Sequence, residues 1–173
     1  MPEVLTKTFI PQIHAVGLAT SKEVGEAVEA AFLARVTGLG FSAAKPWGDS
    51  QRYDFIVDSG HKFWRVQIKS TQRFAQSGYR IKNMGSKVRY TTEEIDFVVA
   101  YLIPETAWYV VPIADVASKN NLLFYPNGVR NNGNERYRER WCQMACPRHG
   151  SPSRILLDRP CERSPEGNIC PLP

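Results

Sequence analysis

Tyr53-Asp54-Phe55-Ile56-Val57-Asp58 is followed by Ser59-Gly60-His61-Lys62 and then by Phe63-Trp64-Arg65-Val66-Gln67-Ile68-Lys69. Both outer runs are rich in β-branched and aromatic residues, and the Ser-Gly segment between them has turn chemistry. The stretch therefore predicts a β-hairpin. A four-residue turn that pairs Asp58 with Phe63 sets Asp54 opposite Gln67. Side chains alternate along a strand, so Gln67 and Lys69 share one face and Asp54 joins them across the ladder. Val66 and Ile68 then point to the other, packed side. Three polar groups are gathered on one patch of an otherwise apolar hairpin.

That trio suits phosphodiester hydrolysis, which needs charge neutralisation at the phosphate and an activated water. Asp54 offers a carboxylate, Gln67 a neutral amide oxygen, and the backbone carbonyl of Ile68 lies within reach of the same ion. Mg²⁺, for which Mn²⁺ can substitute, accepts such oxygens and keeps several waters. Lys69 is placed to orient the attacking water or to stabilise developing charge. Polar residues alternate on any half-exposed strand, however, so the bare spacing D…QxK is a loose signal and a solvated strand face is the alternative.

Before the hairpin, Ser21 has the chemistry of a helix cap, and Val24, Val28, Ala31, Phe32 and Val36 recur at helical spacing behind it. Gly38 and Gly40 end that helix. Phe41 to Lys45 predicts a short strand stopped by Pro46-Trp47-Gly48. After the hairpin, strands are expected at Tyr79 to Lys82 and around Val88 to Tyr90. Thr91-Thr92-Glu93-Glu94 resembles a helix start with acidic residues in its first turn. Asp96 to Leu102 reads as a buried strand, Trp108 to Val111 as its return, Ile113 to Ser118 as helical and Leu122 to Tyr125 as an edge strand. Glu135 to Ala145 has one further helical pattern. The layout is a mixed sheet with helices packed on it.

The chain has 173 residues, with 22 Lys and Arg against 17 Asp and Glu. It is long enough for a real core without disulfides or a structural metal, and its basic balance suits a polyanionic partner without singling one out. No stretch approaches a membrane span, and the opening residues have no apolar run after a basic start, so no membrane association and a cytoplasmic address are expected. All four cysteines come late, at 142, 146, 161 and 170. Cys142, Cys146, His149, Cys161 and Cys170 match no strong zinc spacing, so zinc is not expected there.

Lys22 to Thr71 resembles the PD-(D/E)XK endonucleases associated with group I introns. The residues that carry the likeness are Gly25-Glu26 and Glu29, Pro46-Trp47-Gly48-Asp49, Arg52-Tyr53-Asp54 and Arg65-Val66-Gln67-Ile68-Lys69-Ser70. It continues more loosely through Tyr90, Asp96 to Tyr101 and Trp108 to Pro112. The resemblance implies a restriction-endonuclease-like α/β/α fold with a central mixed sheet of four or more strands. It implies a metal-dependent DNA endonuclease whose site is a QxK variant of the usual motif, with Asp54, Gln67 and Lys69 as its members. An acidic residue on the first helix completes such sites, which points to Glu29, with Glu26 further round towards solvent. Residues 1–20 are then an N-terminal extension, 21–145 the nuclease-like domain and 146–173 a mobile tail.

Arg52 precedes the motif strand and is a candidate for phosphate contact, and Asp49 beside it reads as a turn-stabilising carboxylate. Ser70, Arg73, Arg80, Lys82, Lys87 and Arg89, interleaved with Tyr79 and Tyr90, suit a groove that follows a nucleic-acid backbone. A solvated hairpin would look much the same. His61 reads as a turn residue, and Trp47, Trp64 and Trp108 as core. A glutamine at position 67 lowers the negative charge of the site, so a DNA-binding module that kept the fold without turnover is the alternative to an enzyme. A homodimer would supply the two sites that a double-strand cut requires.

Overall fold

Thr20, rather than Ser21, caps the first helix. Its hydroxyl accepts from the Glu23 N–H at 3.2 Å, and the Glu23 carboxylate accepts from the Thr20 N–H at 2.9 Å. This reciprocal capping box needs an acidic residue three positions on. Thr20 has one in Glu23, whereas Ser21 has Val24. Helix α1 (Ser21–Gly38) buries Val28, Ala31, Phe32 and Val36. It ends where Gly40 takes a φ of 84° and the Phe41 N–H returns to the Val36 carbonyl.

The computed structural model describes residues 20–48, 50–60, 62–75, 78–126, 128 and 133–145. The expected N-terminal extension up to residue 19, Asp49, His61 and the cysteine-bearing tail from Cys146 onward lie outside them. After α1 come strands β1 (Ser42–Ala44), β2 (Phe55–Asp58), β3 (Phe63–Thr71), β4 (Phe74–Ala75) and β5 (Gly78–Lys82). Then follow β6 (Met84–Gly85), β7 (Val88–Arg89), β8 (Phe97–Leu102), β9 (Ala107–Pro112), β10 (Asn121–Phe124) and a short helix α2 (Cys142–Ala145). A central five-stranded sheet has the order β1-β2-β3-β8-β9, and only the β3–β8 pair is parallel. The hairpin register is the expected one, with Asp58 opposite Phe63 and Phe55 opposite Val66.

A parallel neighbour requires a crossover, and the crossover here builds a second layer. It contributes β4 and β5, which with β10 form a three-stranded sheet, and the small β6–β7 hairpin. The alternation of β8 shows how two layers share one strand. Phe97, Val99 and Tyr101 pack with α1, Trp108 and Trp141, while Val98, Ala100 and Leu102 pack with Tyr79, Ile81, Leu122 and Phe124. All six residues of β8 are buried. At roughly 1.5–3 kcal/mol for each large apolar side chain, this strand anchors both halves of the core.

Arg65 fixes the β3–β8 register. Its guanidinium meets both carboxylate oxygens of Asp96 at 3.1 Å and also donates to the Thr92 and Glu93 carbonyls. Those contacts explain why residues 91–94 make one turn and not a helix. The Glu94 and Ile95 N–H groups both return to the Thr91 carbonyl, and the next carbonyls face Arg65. Ile113 to Ser118 likewise shortens to a 3₁₀ turn at Ile113–Asp115.

The expected helix over Glu135 to Ala145 is broken in two, a 3₁₀ turn at Asn134–Tyr137 and α2. Between them Glu139 adopts a φ of 49°. Its carboxylate accepts from the Trp108 N–H at 3.0 Å, from Arg35 at 3.0 Å and from the Trp141 indole at 2.8 Å. These tertiary bonds to β9 and α1 outweigh the helical preference of the segment. Cys142 is buried beside them. Among the described residues no helix is long and apolar enough to cross a membrane.

Candidate active site

The β2–β3 ladder runs one residue past β2. The Asp54 N–H donates to the Val66 carbonyl at 2.8 Å, which leaves Asp54 facing Gln67. Asp54 Oδ2 accepts from the Ile68 N–H at 2.6 Å and from Gln67 Nε2 at 2.5 Å. Gln67 Nε2 also donates to the Ile68 carbonyl at 3.2 Å. The amide nitrogen thus lies between a carboxylate oxygen and a carbonyl oxygen. An amide oxygen there would meet two more oxygens with no proton or cation between them, so the N–H₂ group is the stable occupant. Gln67 Oε1 has no protein partner among the described residues.

Burial raises the Asp54 carboxyl above its ordinary value of 3.8, and the nearby Glu29 charge adds to the rise. The Ile68 N–H, Lys69 and Gln67 pull in the opposite direction, and desolvation wins. Among the described residues no group of three or more His, Cys, Asp and Glu side chains is gathered. The site is instead one partly buried carboxylate with an amide N–H₂ group, a backbone N–H and a backbone carbonyl around it.

Glu29 stands on α1, partly buried, with its carboxylate 2.6 Å from Lys45 Nζ. It is the helix glutamate whose charge acts on Asp54. Glu26 is exposed and pairs loosely with Lys22 at 3.9 Å, and Glu23 belongs to the helix cap. The hydrogen bond that Lys45 donates to Glu29 raises the Lys45 pKa, and the charge of Asp54 adds to it. Lys45 is the neighbour that sequence reasoning missed. It stands between a short strand and a proline, and nothing in that setting marks it as a partner for a helix residue sixteen positions earlier.

Lys69 follows Gln67 on the same face of β3, pairing with Ala100 where Gln67 pairs with Val98. It makes no hydrogen bond or ion pair among the described residues, but its Nζ lies 5.5 Å from the centre of the Tyr90 ring. Arg52 is committed to protein. It donates to the carbonyls of Gly85, Val88 and Arg89 at 3.2, 3.1 and 2.9 Å and pairs with Glu94 at 3.2 Å. A phosphate contact would break that set, so its placement favours a clamp on the β6–β7 hairpin. Ser70 follows Lys69 on β3 and Arg73 stands in the connection between β3 and β4, while Arg80 and Lys82 line the exposed face of β5. Lys87 and Arg89 stand on the β6–β7 hairpin, where Arg89 donates to the Ser118 carbonyl at 2.8 Å. Trp64 and Trp108 are core as expected, but Trp47 is fully exposed. The turn that follows β1 carries it away from both apolar clusters.

The profile of the PD-(D/E)XK endonuclease family matches residues 19–143. Among solved structures, the chain is similar to the bacterial homing endonuclease I-Ssp6803I at 25% sequence identity and a TM-score of 0.64. That likeness covers 72% of this chain and 91% of the other. It also overlaps the Holliday junction resolvase Hjc of Archaeoglobus fulgidus at 15% identity and a TM-score of 0.41, over 60% of this chain and 84% of that one. Among curated proteins none is similar to this chain. The family match spans α1, the β2–β3 hairpin and both sheets, and so contains all the site residues described above. On that evidence the chain belongs to the PD-(D/E)XK endonuclease family.

Proposed function

We propose that this endonuclease hydrolyses phosphodiester bonds in DNA with a divalent metal ion, Mg²⁺ or Mn²⁺, held at a QxK form of the family site. The observation that carries the reading is the meeting of Asp54 Oδ2, the Ile68 carbonyl and the Gln67 amide within 3.2 Å, with Lys69 next on the same face. The donor set fits a hard cation: one carboxylate and two neutral oxygens. Turning the Gln67 amide would present Oε1 beside the other two oxygens, an arrangement that a cation between them would stabilise. Bound there, such an ion supplies charge neutralisation at the phosphate and a more acidic water.

The protein groups do the rest. Asp54 and Gln67 fix the ligand geometry on one rigid hairpin. Lys69 orients the attacking water and offsets developing negative charge. Glu29 completes the outer ring through water, held in place by Lys45. Ser70, Arg73, Arg80, Lys82, Lys87 and Arg89 follow the DNA backbone. Cutting both strands requires two such sites, which a homodimer would provide. Incubation with linear, supercoiled and branched DNA tests the reading: cleavage with Mg²⁺ or Mn²⁺ and none in EDTA supports it. Mobility shift without cutting supports the alternative, a DNA-binding module, which is favoured by the glutamine at position 67 because it lowers the negative charge of the site.

Gln67→Glu tests the amide directly. It places a second carboxylate against Asp54, so the metal-free protein is expected to melt at a lower temperature near neutral pH. Its Mg²⁺ affinity is expected to rise on the order of tenfold, because ligand charge tunes such sites. Calorimetric titration and melting curves with and without Mg²⁺ read both. A variant whose response to Mg²⁺ equals that of the wild type would remove Gln67 from the ligand set.

Trp47 provides a binding readout. It is fully exposed, whereas Trp64, Trp108 and Trp141 are 6%, 3% and 0% exposed, and these are the four tryptophans of the chain. An exposed aromatic is suited to stacking on bases. DNA is expected to shield the emission of Trp47 from acrylamide, and Trp47→Ala to remove that effect. Unchanged quenching in a complex proven by mobility shift would place DNA elsewhere.

A further inference from the structure

We propose that Tyr90 is a positioning residue for Lys69, and that Gly85 and Arg52 hold Tyr90 where it can act. The inference rests on Lys69 being the lysine that assists the attacking water. A lysine ammonium is a point charge on a flexible four-carbon stem, and aiming it requires a contact. Among the described residues Lys69 has no hydrogen bond or ion pair; the contact it does have is the face of Tyr90, 5.5 Å from the ring centre. That lies within the range of a cation–π interaction.

Tyr90 is 3% exposed, so its ring is fixed by packing. The same ring carries the Arg52 guanidinium at 4.7 Å. Arg52 in turn donates to three carbonyls of the β6–β7 hairpin and pairs with Glu94. The hairpin turns through Ser86 and Lys87, at φ values of 46° and 70°. Its tip is therefore tied, through Arg52, to the ring against which Lys69 lies. The charge of Lys69 acts directly on Asp54.

Gly85 is what admits the phenol. A Cβ at this position would lie 2.8 Å from the Tyr90 hydroxyl oxygen and 3.4 Å from Cζ. An alanine must therefore displace the tyrosine, whereas a phenylalanine at position 90 lacks the clashing atom and keeps the π-face. This difference separates positioning from mere support of the fold.

The test compares Tyr90→Phe, Tyr90→Leu, Gly85→Ala and the double variant G85A/Y90F on supercoiled plasmid DNA with Mg²⁺. Tyr90→Phe is expected to stay within about twofold of wild type, because the ring face is kept. Tyr90→Leu is expected to lose roughly tenfold or more in kcat with little change in KM, as misplacing a reacting group does. Gly85→Ala should lose kcat in the same way, and adding Tyr90→Phe should restore most of it. That pair keeps the test valid whether or not leucine is tolerated at a buried position. Equal losses in G85A and G85A/Y90F would overturn the proposal.

A second readout needs no turnover. In protein labelled with ¹³C-lysine, the Lys69 ε-methylene resonance, assigned with Lys69→Arg, is expected upfield because of the aromatic ring. It should stay there in Tyr90→Phe and return to the free-lysine position in Tyr90→Leu. If this pattern appears in a protein that cuts no DNA, the positioning stands and the nuclease reading fails. A free-lysine position in the wild type would overturn the positioning whatever the activity.

Discussion

Replacing Lys69 with alanine is expected to lower the rate of DNA cleavage at least about 100-fold, the cost typical of losing one preorganised group that meets transition-state charge. The fold is expected to survive. Lys69 is partly exposed at the end of the motif strand and has no hydrogen bond or ion pair among the described residues. What the variant loses structurally is the contact with Tyr90, worth about 0.5–1 kcal/mol at a partly exposed site. The lost rate corresponds to roughly 3 kcal/mol or more. A cleavage time course and a thermal melt on the same preparation separate the two. Retained metal-dependent cutting would remove Lys69 from the mechanism, and a collapse of the melt would make its role structural.

Asp54→Asn is expected to abolish metal-dependent cleavage and, without metal, to make the protein more stable near neutral pH. The reason is the raised pKa of Asp54, caused first by burial and then by Glu29. For a carboxyl whose folded pKa lies above its unfolded one, the folded state holds the proton more tightly. The stability tied to that proton is complete below the ordinary value of 3.8 and is lost as pH rises through the folded value. Asparagine has no such charge to bury. Its amide oxygen can take the place of Oδ2 and accept from both the Ile68 N–H and the Gln67 amide. Melting curves in EDTA should coincide most closely at acid pH and separate, with the Asp54→Asn variant higher, as pH rises above the carboxylate range. Mg²⁺ should narrow or reverse that gap, because it stabilises only the protein that binds it. A variant that is less stable than wild type at neutral pH in EDTA would contradict the electrostatic account.

The parts legible in the sequence were those governed by period and turn chemistry. Alternation across 53–58 and 63–69 gave the hairpin, and the four-residue turn gave its register, which together brought Asp54 opposite Gln67. The buried run at β8 was equally plain. What could not be read depended on distant partners. Glu139 breaks a helical pattern because its carboxylate serves β9, α1 and Trp141. Residues 91–94 stop after one turn because Arg65 takes their carbonyls. Arg52 carried the same letter as a phosphate ligand would, and only the hairpin folded over it showed where its donors go. The amide of Gln67 is the sharpest case. Its residue type suggested an oxygen ligand, while its nitrogen is the atom that faces Asp54 and the Ile68 carbonyl.

The central claim is that a site with glutamine in the metal set still cuts DNA. Wild-type protein and Asp54→Asn, purified side by side and incubated with supercoiled plasmid in Mg²⁺, Mn²⁺ or EDTA, test it most directly. The account predicts nicked and linear products from the wild type with either metal, none in EDTA and none from the variant. Cutting that persists equally in Asp54→Asn, or a wild type that shifts the plasmid in Mg²⁺ and Mn²⁺ without breaking it, would contradict the claim.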